Sequence, residues 1–272
     1  MPADDRSGKR RAGRAGPIRI ADLLEAGKTR ELLILHRGGV IGADSPECSL
    51  RAATTAGEQG FGMLEIDIRE SKDHVPVVFH DKEMARAAGV VGRVGDFTAR
   101  ELAATALGGT DQTIATLADV FAVCHDHGMG VMLDIKEDGT DAYYEEIGAL
   151  LQKFGFGESA VAITSYRRAV THLGALCYFP MDGEDFARIG QGKAPAGPRR
   201  PRRFWFGWPR FITDEMVQRI QAQGIPVVPS INTFHYRPEF ADASASRDVA
   251  RMRAAGVVAY QIDSVYAGLF RA

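Results

Sequence analysis

Short apolar runs alternate with helix-period stretches along most of the chain. Leu32–His36, Val75–His80, Val161–Thr164 and Leu176–Phe179 are compact apolar runs of the kind buried in a sheet. Met63–Arg69 alternates with period two, and Gly130–Lys136, Ile225–Ile231 and Val257–Ile262 read as further strands. Between them, Ser49–Gln59, Thr116–His127, Ala142–Phe154, Thr213–Gln223 and Ser246–Ala255 follow a helical pattern. Gly60, Gly128, Gly224 and Gly256 stop four of these helices. A shorter helical turn falls at Thr98–Ala104. The pattern predicts eight strands, or nine with a short one near Phe204. Repeated β-then-α order with short links predicts a parallel sheet covered by helices, and eight such units close into a barrel. The expected fold is therefore α/β, a TIM (β/α)8 barrel forming a single domain over residues 17–272. A doubly wound sheet would want a Gly-rich phosphate loop after its first strand, and His36–Arg37–Gly38–Gly39 does not match one.

Two stretches lack this pattern. Residues 1–16 are rich in Arg, Gly and Ala, and read as a disordered basic tail. Residues 180–212 are rich in Pro, Gly and Arg and read as an elaborated loop, with a basic knot at Arg199–Arg203 and aromatic residues at 204, 205, 206 and 208.

Several strands end in ionisable residues, and this changes the picture. Side chains two apart in a strand share a face, so Leu64, Ile66 and Ile68 face the helices while Glu65 and Asp67 face into the barrel. Asp134 and Lys136 likewise share a face. His36 and His80 each close an apolar run and are followed by Arg37 and Asp81. Charged groups inside a barrel are costly unless they pair or bind a metal, and the carboxyl ends of barrel strands are where active sites form. Glu65, Asp67 and Asp134 offer hard oxygen ligands suited to Mg²⁺, Ca²⁺ or Mn²⁺. Arg37 and Lys136 suit an anionic substrate such as a phosphodiester, and His36 and His80 suit general acid and base roles. Any one of these features alone is more often a paired or capped strand end than a site; the reading rests on their meeting at one end of one barrel.

Composition narrows the function classes. The chain has 272 residues, 45% hydrophobic and 25% charged, with a net charge of −2. That balance argues against a surface devoted to nucleic acid or acidic lipid. Three widely spaced cysteines, Cys48, Cys124 and Cys177, form no metal or disulfide framework and point to a reducing compartment. No apolar run reaches the length of a membrane span and no signal-peptide pattern follows the basic start, so a cytoplasmic protein is expected.

Taken in order, His36–Arg37–Gly38, Pro46–Glu47, Glu65-x-Asp67, His80–Asp81 and Asp134-x-Lys136 resemble the ordered motifs of the glycerophosphodiester phosphodiesterase family. The resemblance is strong over residues 33–137 and fainter through 211–234 and 256–263. It implies a TIM barrel with a divalent metal, Mg²⁺, Ca²⁺ or Mn²⁺, held by Glu65, Asp67 and Asp134. It implies that His36 and His80 transfer protons, and that Arg37, Lys136, Glu47 and Asn232 contact the substrate. The implied activity is hydrolysis of a small-molecule glycerophosphodiester to glycerol 3-phosphate and an alcohol. Four departures from the family pattern stand out: Cys48–Ser49 after Pro46–Glu47, Asp134 in place of Glu, Pro229–Asn232 without the family's tryptophan, and Ile262–Asp263–Ser264–Val265 at the last strand. These leave room for a lysophospholipase D, a sugar-phosphodiester phosphodiesterase or transferase, or an inactive binding barrel.

Overall fold

The computed structural model describes residues 31–195 and 202–270; the expected basic tail and most of the basic knot lie outside these residues. Nine strands are present among them: β1 (Leu32–Leu35), β2 (Met63–Glu70), β3 (Pro76–Val78), β4 (Gly130–Ile135), β5 (Ala160–Ile163), β6 (Cys177–Pro180), β7 (Arg202–Gly207), β8 (Val227–Ile231) and β9 (Ala259–Ile262). Eight run parallel in the order β1-β9-β8-β7-β6-β5-β4-β2, and pairing of β1 with β2 closes the barrel. Each parallel crossover carries a helix on the outside: α1 (Leu50–Glu58), α4 (Leu117–His127), α5 (Asp141–Lys153), α6 (Arg167–Leu173), α7 (Gly183–Gly190), α8 (Asp214–Gln221) and α9 (Ala241–Ala254). Two short helices, α2 (Ala85–Ala88) and α3 (Ala99–Ala103), belong to an excursion between β2 and α4.

The nine strands match the larger count, but one of them plays a different part. The apolar run at 75–80 is not a barrel stave: β3 pairs antiparallel with β2, Ile68 opposite Val78, and folds the chain back on itself. The eighth stave is β7, the short strand expected near Phe204, in a segment otherwise read as an elaborated loop, where α7 also forms. Its inward residue Phe204 is fully buried while Trp205 packs outward among the helices, an alternation that the surrounding Pro, Gly and Arg residues obscure.

The helix starts are locally encoded. Ser49, Thr116, Thr140 and Thr213 each accept a backbone N–H of the first turn of α1, α4, α5 and α8. Gly128 takes the left-handed conformation that ends α4.

Two apolar regions hold the barrel. Outward residues such as Leu64, Ile66, Leu133 and Ile262 pack with the helices, as the alternation predicts. Inside, Leu32, Ile34, Met63, Met132, Val161, Tyr178, Phe204, Val228 and Ala259 fill the lower barrel. Each such side chain, fully buried, contributes roughly 1.5–3 kcal/mol. Above this floor the inward positions turn polar: Glu65 and Asp67 on β2, Asp134 on β4, Ser230 on β8 and Gln261 on β9.

Candidate active site at the carboxyl end of the barrel

The sharp turn after β1 starts the site. Arg37 sits in the left-handed region at φ 53°, a conformation that costs a non-glycine residue roughly 1–2 kcal/mol. It is held there because its N–H donates to Glu65 Oε2 at 2.7 Å and its carbonyl accepts from the Cys48 N–H at 2.9 Å. Gly39 closes the turn at φ 137°, where a Cβ would meet the Ala52 carbonyl oxygen at 2.2 Å. The turn leaves His36 facing the cavity and packs the chain tightly on α1.

The three acids predicted from the strand pattern converge. Asp67 and Asp134 are register partners on β2 and β4, with Glu65 one inward step below Asp67. One carboxylate oxygen from each lies within 4.8 Å of the others. Glu65 and Asp67 are fully buried. Lys136 Nζ reaches Asp67 Oδ1 at 2.7 Å and Asp134 Oδ2 at 2.6 Å. A single ammonium does not neutralise three carboxylates. Burial, and then the charges of Asp67 and Asp134, push the Glu65 carboxyl well above its usual range. Burial also raises Asp134, against the pull of Lys136. Burial alone would lower the Lys136 ammonium, but Asp67 and Asp134 outweigh it and hold the group protonated. Glu65 Oε1 has no hydrogen-bond partner, and Asp67 Oδ1 has only the Lys136 ion pair, at a poor hydrogen-bonding angle. Surplus negative charge and an orphaned, buried carboxylate oxygen fit a divalent cation with hard oxygen ligands. Cys48 sits behind Asp67, its Sγ 3.6 Å from Asp67 Oδ2.

Both predicted histidines line the same cavity, of about 220 Å³. His80 arrives from an unexpected direction. It follows β3, so the antiparallel return of the β2–β3 hairpin brings it back beside Asp67. Its carbonyl is gripped by Arg69 Nη2 at 2.8 Å and Nε at 3.2 Å. Each imidazole is oriented by a carboxylate: His80 Nδ1 lies 2.7 Å from Asp81 Oδ1, and His36 Nδ1 2.6 Å from Asp263 Oδ1. A carboxylate accepts, so Nδ1 carries the hydrogen in both rings and Nε2 is the working nitrogen. Arg37 Nη2 lies 3.3 Å from His80 Nε2, placing the guanidinium between the histidine and the mouth.

Arg37, Lys136 and Asn232 also line the cavity. Glu47 is placed differently. Arg37 Nη1 donates to it at 2.6 Å and Arg86 pairs with its other oxygen. Burial would raise the Glu47 carboxyl, yet Arg86 and Arg37 together hold it low. Glu47 therefore fixes Arg37, and Arg86 ties it to Asp81 and so to His80.

Four contributing residues carry no sequence signal strong enough to assign a role. Asp263 is separated from His36 by most of the chain. Arg86 sits in the irregular excursion. Trp208 and His235 pack tilted against each other at 4.1 Å between ring centroids, and with Phe206 and Phe234 they form an aromatic wall of the cavity.

The family model for the glycerophosphoryl diester phosphodiesterase family matches residues 36–165, the part that carries both histidines, the three acids and both cations. Over these residues the chain is similar to the glycerophosphoryl diester phosphodiesterase family. Curated proteins of that name are similar over part of their length. Human glycerophosphodiester phosphodiesterase 1 is 29% identical over 130 residues, 44% of this chain and 39% of that protein. A glycerophosphodiester phosphodiesterase of Caldanaerobacter subterraneus subsp. tengcongensis is 30% identical over 146 residues, 50% of this chain and 58% of that protein. In both cases the match spans less than two thirds of the relative. Among solved structures, a glycerophosphoryl diester phosphodiesterase from Parabacteroides distasonis superposes with a TM-score of 0.67 at 21% identity, covering 91% of this chain and 89% of that one. A phosphodiesterase from Oleispira antarctica, solved with the product sn-glycerol-3-phosphate, gives 0.64 at 22% identity, covering 85% and 92%. These last two likenesses establish the barrel.

Proposed function

We propose that this protein hydrolyses glycerophosphodiesters to glycerol 3-phosphate and an alcohol. The observation that carries this reading is the convergence at one cavity of three clustered acids, two of them fully buried, with two cations and two carboxylate-oriented histidines. Glu65, Asp67 and Asp134 would hold a divalent ion, Mg²⁺, Ca²⁺ or Mn²⁺, which when bound supplies electrostatic stabilisation of phosphoryl oxygens. Arg37 and Lys136 bind the anionic phosphate and favour the charge that builds on it during displacement. His36 and His80 divide two proton transfers at their Nε2 atoms, one from the attacking oxygen and one to the departing alkoxide. Asp263 and Asp81 keep both rings in the tautomer these transfers need. Asn232, fully buried and with its Oδ1 unpartnered, offers an acceptor to a substrate hydroxyl.

The test is a panel of glycerophosphodiesters incubated with and without EDTA, with both products identified. Release of glycerol 3-phosphate that stops with EDTA supports the reading; inertness toward every diester with all three metals points instead to a binding barrel.

A second reading, lysophospholipase D activity, is favoured by the aromatic wall of Phe206, Trp208 and Phe234, which offers an apolar surface beside the phosphate-binding half. Comparison of glycerophosphocholine with lysophosphatidylcholine separates the two.

A further inference from the structure

Among the described residues, the large apolar side chains left in solvent are Ile41, Val91, Phe211, Phe234, Phe240 and Val265, each 40–93% exposed. Their distribution is one-sided. Ile41 follows β1, Phe211 follows β7, Phe234 and Phe240 follow β8, and Val265 follows β9. Val91 belongs to the excursion that leaves the barrel at the end of β2. All six therefore stand on segments that emerge at the carboxyl ends of the strands; Phe234 lines the active-site cavity, and Ile41 and Val265 line a separate groove with Gln59 and Phe61. The described loops at the opposite end and the outer helices contribute none.

Two exposed arginines stand among the apolar tips, Arg237 with the exposed Glu239 beside it. Arg210 is exposed and stacks over Trp208 and Phe211, at 4.1 and 4.8 Å from the ring centroids. Arg237 is exposed three residues before Phe240. Neither makes an ion pair with another described residue. Exposed aromatics beside unpaired arginines match the layering of a phospholipid surface, where rings settle at headgroup depth and cations meet lipid phosphates. Phe234 joins the two regions, since it is 61% exposed and also lines the cavity.

We infer that the carboxyl-end face docks on a phospholipid bilayer, so that the active site opens onto the lipid surface. A net charge of −2 rules out docking by bulk electrostatics, which leaves burial of the aromatic tips as the main attraction and the two arginines as the local one. This inference stands apart from the hydrolytic reading, because binding is measured without turnover.

The test is co-sedimentation of the full chain with phosphatidylcholine vesicles, with and without phosphatidylglycerol, while following Trp208 emission. Wild type should bind both, more tightly with phosphatidylglycerol, and its emission should shift to the blue. The F211S/F240S double variant alters two tips that do not line the cavity. It should bind at least about tenfold more weakly, given the transfer energy of two phenyl side chains, and R210Q/R237Q should lose the preference for phosphatidylglycerol. Unchanged far-ultraviolet circular dichroism would show that each variant is folded. Failure of wild type to sediment with either vesicle overturns the inference. So does F211S/F240S binding as wild type does, which would move the attachment to another part of the chain. Concentration-dependent self-association that these substitutions abolish would give the face to a second copy of the chain and equally overturn it.

Discussion

Asp263 Oδ1 lies 2.6 Å from His36 Nδ1, across 227 residues of chain. The same carboxylate accepts from the Thr233 N–H at 2.6 Å, the Thr233 hydroxyl at 2.7 Å and Asn232 Nδ2 at 3.2 Å. Burial would raise the Asp263 carboxyl, but the bonds to His36 and Thr233 hold it well below the usual carboxylate range. One side chain thus orients the imidazole of β1 and ties it to the loop after β8.

Asp263→Asn should therefore lower kcat about 10²-fold, because the amide no longer enforces the Nδ1–H tautomer. KM should change little, since Asp263 does not line the cavity. Steady-state kinetics on a folded variant would show this, and a change confined to KM would remove Asp263 from its positioning role.

The metal-free protein should lose stability as pH rises. Folded Glu65 keeps its proton to higher pH than the unfolded chain, whose reference value is 4.5. Its contribution is present below that pH and is lost as pH climbs toward the raised folded value. Glu65→Gln should flatten this part of the profile, measured by thermal unfolding in EDTA between pH 5 and 8. Divalent cation should restore wild type but not the variant; at a hundred times Kd the gain is about 2.7 kcal/mol. Parallel wild-type and variant profiles in EDTA would show that the acids repel one another less than the geometry implies.

His235 works in the opposite direction. Burial against Trp208 pulls its imidazole down to about 4. The unfolded chain takes up this proton near pH 6.5 and the folded protein does not, so stability falls from about pH 6.5 to about 4 and levels below. His235→Gln should lack that decline. The difference between the two unfolding profiles isolates it from carboxylates titrating in the same range.

The aromatic wall should govern the leaving group. Trp208→Ala should reduce turnover of lysophosphatidylcholine more than that of glycerophosphocholine, by about tenfold if the ring buries against an acyl chain. Equal losses on both substrates would place Trp208 in general packing.

Much of this architecture is legible in the chain. Period-two alternation in Met63–Arg69 places Glu65 and Asp67 inside, and the structure shows both there and fully buried. The helix starts at Ser49, Thr116 and Thr213 and the stop at Gly128 are local signals and appear where expected. The failures are tertiary. Val77 and Val78 have the apolar character of a buried stave, and only pairing with β2 reveals an antiparallel return. β7 is legible only as a short strand near Phe204, because Arg202 and Arg203 open it and Gly207 closes it, so three successive aromatics carry the whole pattern. Asp263 and Arg86 act through partners that local spacing does not indicate.

The most direct measurement is phosphorus NMR of glycerophosphocholine turnover by wild type, His36→Ala and His80→Ala, each with Mg²⁺, Mn²⁺ or Ca²⁺ and again with EDTA. Wild type should yield glycerol 3-phosphate with at least one of these metals and none in EDTA, and each alanine variant should be about 10²–10⁴-fold slower. Turnover that persists in EDTA, or a His80→Ala enzyme as fast as wild type, would contradict the account.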